Sequence, residues 1–337
     1  MPPRVSILMP VWNAGETLAV CLRSLTRQRE RDWECVVVDD GSSDDSLALA
    51  RAAAARDPRL RVLARPHEGL VSALNAGAHE CRAPIVARMD ADDWMHRDRL
   101  ALQCALLERA PGLDAVGSFV RSFPRASLQD GTRRYERWLH GLADPDTLWR
   151  DRFVECVVAH PTLAIRRERL LELAYHDHGW PEDFDLVLRL LARGPRLGVV
   201  PHRLLGWRNR PERTSRIDGR YALDRFTACR AHYLARDFLT DANEYVLWGH
   251  GPTARALRRA LEAHGRRAAA IVEVHPRRIG QTIGGAPVVA PDALASQPDL
   301  RRLPLIAAVS GARPRTEIRA ALAALAYRDG IDFVCAA

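Results

Sequence analysis

Two groups of carboxylates in the 337-residue chain are spaced for chemistry. Asp39 and Asp40 precede Gly41 and Ser42, and Asp90 precedes Ala91, Asp92 and Asp93. In an extended segment, alternate carboxylates such as Asp90 and Asp92 can converge on one hard cation. Mg2+ and Mn2+ prefer oxygen ligands and usually share their sphere with substrate phosphates. A cation held there could neutralise charge on a departing diphosphate. Each group alone reads equally well as a turn or a helix cap, since Asp-Gly-Ser-Ser is good turn chemistry. Two such groups at the ends of two strands of one sheet favour the ligand-binding reading. A third acidic run, Glu182-Asp183-Phe184-Asp185 after Pro181, opens a helical pattern. It could supply a general base, although proline and acids in a first turn also begin an ordinary helix.

Carboxylates can meet a ligand only if something places them at strand ends. β-Branched runs at 5–9, 35–38, 62–64 and 85–89 predict strands, and the patterns at 17–27, 46–56, 70–79 and 97–109 predict helices. Continuous apolar strands joined by crossover helices form a parallel sheet covered on both faces. Ligands of such sheets bind beyond the carboxyl ends of the strands, where both acidic groups fall. After a strand at 115–119, residues 122–146 are polar and arginine-rich and read as loop with some helix. Strand and helix patterns resume at 163–165, 183–193 and 197–200, and 221–238 is helical. The chain then starts again, with strands at 245–248, 270–274, 288–289 and 305–309 and helices at 253–264 and 316–327. The expected organisation is an α/β domain over 1–216, a helical linker over 217–240 and a smaller α/β domain over 241–337.

The net charge is +8, and every one of the 50 basic residues is arginine. With the alanine runs at 52–55 and 268–270, this reads as compositional bias. No basic run is interleaved with aromatics, which argues against a nucleic-acid partner. The densest arginine stretch, 203–236, is interspersed with Asp218 and Asp224 and followed by Asp237. It reads as a solvated helix face and also suits a peripheral contact with an anionic membrane. No stretch approaches the roughly 18 apolar residues of a membrane span, and the start lacks a secretory-signal pattern. A cytoplasmic location, extending to the inner face of the membrane, is expected. The seven cysteines, Cys21, Cys35, Cys81, Cys104, Cys156, Cys229 and Cys335, contain no C-x-x-C pair. Buried free thiols are expected, without a disulfide framework or a zinc site.

The order of these motifs resembles family 2 glycosyltransferases. Ile7-Leu8-Met9-Pro10-Val11-Trp12-Asn13 is similar to the family's first-strand motif, with Trp12 where tyrosine is commoner. Val37-Val38-Asp39-Asp40-Gly41-Ser42 resembles the base-reading turn, and Leu74-Asn75-Ala76-Gly77 the helix after strand three. Leu74 stands where the family often has arginine, so that arginine contact is lost. Arg88-Met89-Asp90-Ala91-Asp92-Asp93 resembles the D-x-D metal signature, and Glu182-Asp183 the E-D motif. The resemblance implies a GT-A nucleotide-diphospho-sugar transferase fold, with a mostly parallel sheet between helices. It also implies an inverting, metal-dependent transfer from a nucleoside-diphosphate sugar to a hydroxyl of a sugar, lipid-linked or protein acceptor, in cell-surface polysaccharide or glycoconjugate synthesis. Pro10, Val11, Asn13, Asp39, Asp40, Asn75, Asp90 and Ala91 would line the donor nucleotide. Asp92 would be the principal ligand of Mn2+ or Mg2+, with Asp93 as helper. Asp183 would be the base, and Glu182 would orient base or acceptor. His160, in His160-Pro161-Thr162, and Arg208 and Arg210 would contact acceptor or diphosphate. The two arginines fall in a basic segment, 202–215 with Arg203 and Arg213, that the resemblance makes flexible.

Gly249-His250-Gly251-Pro252-Thr253-Ala254 places G-x-G-x-x-A between a strand and a helix. Glu273 ends the next strand, near the spacing of a ribose-binding acid. The C-terminal part therefore resembles a Rossmann-like domain, and 280–289 is similar to a segment of small domains attached to sugar-modifying enzymes. Gly249, Gly251 and Glu273 are candidates for a second nucleotide site. A Rossmann-like scaffold that binds no dinucleotide is the reading preferred for so short a domain with no evident substrate domain of its own. Two rival functions also stand: a non-catalytic sugar-nucleotide-binding module, and an oxidoreductase or bifunctional protein whose C-terminal domain binds a dinucleotide.

Overall fold

The computed structural model describes residues 2–210 and 218–337, which form two compact units. The first holds an eight-stranded sheet of order β3-β2-β1-β4-β7-β6-β8-β5. Its strands β1 (Val5–Val11), β2 (Trp33–Asp40), β3 (Leu60–Arg65) and β4 (Ile85–Arg88) are mutually parallel. Every residue of β2 is buried, as a strand covered on both faces requires, while the edge strand β3 is mostly half-buried. Helix α1 (Gly15–Thr26) buries Leu18, Cys21, Leu22 and Leu25, the spacing of one helical face. Helices α2 (Ser46–Ala54) and α3 (Leu70–Glu80) follow β2 and β3. Helix α3 lies so close to the sheet that a Cβ on Gly77 would stand 2.3 Å from Leu8 Cδ1 and 2.6 Å from Val38 Cγ2.

Beyond β4 the sheet becomes mixed. Strand β5 (Trp94–Met95) and helix α4 (Arg99–Arg109) precede β6 (Ala115–Phe123). Strand β7 (Ala164–Arg166) runs antiparallel to β4 and β6, and β8 (Leu197–Arg208) runs parallel to β6. Strand β5 pairs antiparallel with the far end of β8. It is too short to leave a periodicity in the sequence, and β8 continues well past the expected 197–200. The stretch read as loop contains α5 (Asp130–Leu139) and α6 (Pro145–Arg150). Helix α5 is anchored partly by a buried carboxylate, which weakens its apolar stripe: Glu136 accepts the Ser122 N–H at 3.0 Å and pairs with Arg125 at 2.9 Å. Helices α7 (Arg167–Leu173) and α8 (Glu182–Leu191) complete this part of the chain.

The second unit takes in Trp149–Cys156 and Gly179–Phe184 with the C-terminal part of the chain. After α9 (Leu223–Tyr233) comes a six-stranded sheet of order β11-β12-β10-β9-β13-β14. Strands β9 (Glu244–Trp248), β10 (Arg267–Val272), β12 (Ala286–Val289), β13 (Leu305–Ala307) and β14 (Phe333–Cys335) are parallel, and β11 (Thr282–Ile283) forms a hairpin with β12. Tyr245, Val246 and Leu247 of the central β9 are fully buried. Helices α10 (Pro252–Glu262), α11 (Ala293–Ser296), α12 (Pro298–Arg302) and α13 (Ala312–Ala324) connect the strands. Helix α13 starts before the expected residue 316 because Pro314 fits its first turn, where no N–H is needed. Arg319, which pairs with Asp151 and Asp329, and Arg230, whose Nη2 donates to the Val154 carbonyl at 3.0 Å, hold the 149–156 segment.

Along the arginine-rich stretch Arg230 is buried, Arg225 faces Asp224 at 3.8 Å and Arg236 pairs with Asp237, so acids balance much of its charge. All seven cysteines are free and buried, as their spacing suggests. Among the described residues no helix is long and apolar enough to cross a membrane.

Candidate active site

The order β3-β2-β1-β4 reverses direction between β1 and β4, which opens a crevice at their carboxyl ends. Pairing of β1 with β4 stops at Leu8 and Arg88, whereas pairing with β2 continues to Val11 and Asp39. Pro10, with no N–H to donate, lies where the β4 ladder has ended. The loop after β1 is latched to the loop after β2. Asn13 adopts φ 48°, a left-handed conformation asparagine tolerates. Its Oδ1 accepts the Ser43 N–H at 2.9 Å, and its own N–H donates to Ser42 Oγ at 3.1 Å. Asp44 accepts from Gly15 at 2.9 Å. Burial opposes ionisation of Asp44, yet hydrogen bonds from Ser46 and Gly15 hold its carboxyl below the ordinary range.

The two carboxylates at the end of β2 behave differently. Asp40 is fully engaged within the fold: Oδ1 accepts the Glu68 N–H at 3.1 Å, and Oδ2 accepts the Gly69 N–H at 2.9 Å and faces His67 Nδ1 at 2.8 Å. Asp39 is also buried, and its Oδ2 accepts the Ser42 N–H at 3.2 Å. Its buried Oδ1 has no hydrogen-bond partner among the described residues. A buried acceptor left unmatched is costly, so Asp39 offers a ligand what Asp40 does not. Above them the His67 ring stacks on Trp12, with centroids 4.7 Å apart, and Trp12 is 53% exposed.

On the other side of the crevice, the turn after β4 is held by its backbone. The Asp90 carbonyl accepts from the Cys21 thiol at 3.3 Å, and the Ala91 carbonyl from Thr17 Oγ1 at 3.3 Å. The Asp92 carbonyl accepts from Arg208 Nε at 2.7 Å. Burial pushes the Cys21 thiol well above its ordinary value, aided by the nearby carboxylates, so it stays a donor. The side chains of Asp90, Asp92 and Asp93 then converge, with one oxygen from each lying within 4.8 Å of the others. Asp90 pairs with the buried Arg88, Asp93 Oδ1 accepts the Arg208 N–H at 2.7 Å, and Arg210 approaches Asp92 at 3.5 Å. Arg203 and Arg208, from the basic segment, belong to β8. The expected Arg213 and Ser215 lie outside the described residues.

Asn75 and His160 meet through Tyr175. Asn75 exchanges hydrogen bonds with the Tyr175 backbone at 2.9 and 2.8 Å, and His160 Nε2 lies 2.8 Å from the Tyr175 hydroxyl. Burial, and then Arg88, hold His160 well below its ordinary pKa. In the second unit, Glu182 is buried and accepts the Tyr221 hydroxyl at 2.8 and 2.7 Å. Asp183 opens α8 half-buried, with Oδ1 accepting the Phe184 N–H at 2.7 Å. The structure thus brings residues 10–13, Asp39 and residues 90–93 to one sheet edge, and sets Glu182 and Asp183 at a helix start. His67, Thr17, Cys21 and Tyr221 were not anticipated, because each acts through a partner distant in sequence.

The model of glycosyl transferase family 2 matches residues 6–173. The amylovoran biosynthesis glycosyltransferase AmsE of Erwinia amylovora is 30% identical over 204 residues, which cover 59% of this chain and 74% of AmsE. The chain belongs to glycosyl transferase family 2. Matches to several other curated relatives span only 15% or 28% of those proteins' length. Among solved structures, S. aureus TarS in complex with UDP superposes with TM-score 0.54 at 16% identity, covering 77% of this chain and 71% of that one. The mannosyltransferase PcManGT from Pyrobaculum calidifontis, in complex with GDP-Man and Mn2+, gives TM-score 0.51 at 19% identity over 98% and 82% of the two chains. This glycosyltransferase therefore has the GT-A fold, with a second, smaller sheet beside it in the sequence.

Proposed function

We propose that this glycosyltransferase is inverting and metal-dependent, and moves a sugar from a nucleoside-diphosphate donor to an acceptor hydroxyl. The main support is the convergence of Asp90, Asp92 and Asp93 at the sheet edge that also carries the unmatched oxygen of Asp39. An all-oxygen set fits Mn2+ or Mg2+, and PcManGT was solved with Mn2+. A cation bound to Asp92, with Asp93 and Asp90 beside it, would supply Lewis-acid neutralisation of the leaving diphosphate.

The chain's own groups supply the rest. Asp39 Oδ1 accepts an N–H of the nucleobase, whose ring lies against Trp12. Pro10, Val11 and Asn13 wall the pocket, with Asp40 and Asn75 fixing its rim and Ala91 its floor. Arg208 and Arg210 hold the acidic turn and turn their permanent charge toward phosphate. Asp183 takes the acceptor's proton as its oxygen attacks the anomeric carbon. The bond to the diphosphate breaks on the opposite face, and configuration inverts. Glu182, fixed by Tyr221, sets the helix start that carries Asp183. Residues 1–216 carry the transfer chemistry, and the AmsE relationship favours polysaccharide or glycoconjugate synthesis as its setting.

A screen of nucleotide sugars for metal-dependent turnover identifies the donor, and Asp183→Asn then tests the base. The variant should bind the donor with wild-type affinity in calorimetry and transfer nothing. Retained turnover would remove Asp183 from the role, and an anomeric product of unchanged configuration would overturn inversion.

A further inference from the structure

The C-terminal sheet has its own strand-order reversal. Counted along the chain, β9, β10, β12, β13 and β14 lie in the spatial order 3-2-1-4-5, the arrangement of doubly wound nucleotide-binding sheets. Order reverses between β9 and β13, and the loops after these two strands face each other there. Thr253 Oγ1, at the start of α10, lies 3.2 Å from Ser310 Oγ, after β13. Helix α10 opens at this point with Gly251 as its N-cap and Pro252 behind it.

The two glycines of the loop are not equivalent. Gly249 has φ +96°, and a Cβ there would stand 2.4 Å from Val309 Cγ2, so backbone and packing both demand glycine. Gly251 has φ −72° and ψ −178°, ordinary extended backbone, and a Cβ on it would meet nothing within 4 Å. Neither strain nor packing accounts for Gly251. What its missing side chain does is keep the space over the first turn of α10 clear.

Between the glycines, His250 is only 9% exposed, and its buried Nδ1 has no hydrogen-bond partner among the described residues. Burial, followed by the charges of Arg258, Arg255 and Arg278, holds this imidazole below its ordinary pKa against the pull of Glu273. Arg255 and Arg278 reach the His250 carbonyl from different elements, each with Nη1 at 3.4 Å. Arg278 also bonds Glu273 Oε2 at 3.1 Å. The loop thus combines a helix start, converging guanidinium charge and a buried polar atom with no partner among the described residues.

We propose that this crevice is a second nucleotide site, one that seats the phosphates of a ribonucleoside diphosphate on the start of α10 over Gly251. Arg255 and Arg278 are its counter-charges, and His250 Nδ1 gains its missing partner from the ligand. As Arg278 turns to phosphate, it releases Glu273 Oε2 to accept a ribose hydroxyl. The site lies within the second unit and does not rest on the transfer reading.

The test is calorimetry on the full chain with UDP, GDP and ADP in EDTA, where a basic site needs no cation and an acidic one lacks it. At least one of these should bind with one equivalent, and Asp39→Ala should leave that binding intact. Gly251→Asp, which places a carboxylate in the open space, and Arg255→Glu should each weaken it by about tenfold or more, the worth of a lost charge-assisted contact. Gly251→Ala controls for folding, and Arg255→Glu, at an exposed position, carries the test alone if Gly251→Asp misfolds. Absence of binding by all three nucleotides, binding unchanged in Arg255→Glu, or binding abolished by Asp39→Ala would overturn the site. Pyrophosphate binding as tightly as the nucleotides would reduce it to an anion site and overturn the nucleotide assignment.

Discussion

The two sheets of this glycosyltransferase obey one topological rule with opposite electrostatics. At the reversal of the first sheet the chain gathers Asp39, Asp90, Asp92 and Asp93. At the reversal of the second it gathers Arg255, Arg278 and a helix start around Gly251. In the first arrangement the carboxylates outnumber the neighbouring Arg88, Arg208 and Arg210, so phosphate needs a cation there as well, whereas the second attracts it directly. Topology therefore says where a ligand can sit, while the local charge says what must accompany it.

The sharpest way to break that contrast is to remove the acidic side. Asp92→Asn, or chelation of divalent ions in the wild type, should lower kcat/KM by about 100-fold or more, since a bound cation contributes several kcal/mol of charge stabilisation. Full activity in excess EDTA would contradict it. A smaller loss is expected at Arg208, whose side chain ties β8 to the Asp92 carbonyl. Arg208→Ala should weaken Mn2+ binding by about 10-fold to 100-fold, the usual cost of losing a group that orients ligands. Titration of the metal by calorimetry measures this directly.

The contrast between glycines is tested by stability. Gly77→Ala drives a methyl into Leu8 and Val38 and should cost about 1–3 kcal/mol of unfolding free energy. Gly251→Ala should stay within about 0.5 kcal/mol of wild type, because reduced freedom of the unfolded chain offsets a poorer cap. Urea unfolding separates the two, and a large loss at Gly251 would show that packing does account for it.

The remaining effect concerns pH. Burial, with Arg88, depresses the folded pKa of His160. Its contribution is complete above the unfolded value of about 6.5 and is lost as pH falls toward the folded one, because the unfolded chain binds the proton first. His160→Gln should flatten the decline in unfolding free energy between pH 7.5 and 5.5, by at most about 1.4 kcal/mol per pH unit. An unchanged slope would mean that other groups carry the acid sensitivity.

Much of this molecule was written locally. Runs such as Cys35-Val36-Val37-Val38 and the spacing of Leu18, Cys21, Leu22 and Leu25 record which faces are buried, so strands and helices could be read off them. The acids at the strand ends followed, because a parallel sheet presents its ligands there. Local pattern could not distinguish Asp39 from Asp40, since that difference depends on residues 67–69 folding back onto only one of them. Nor could it join Arg208 to Asp93, a bond made across 115 positions by the pairing of β5 with β8. It could not separate Gly249 from Gly251 either, because only the approach of Val309 tells a glycine required by packing from one that leaves room. Periodicity encodes burial along one segment, whereas a hydrogen bond or a clash needs two segments, and their meeting is fixed by the sheet as a whole.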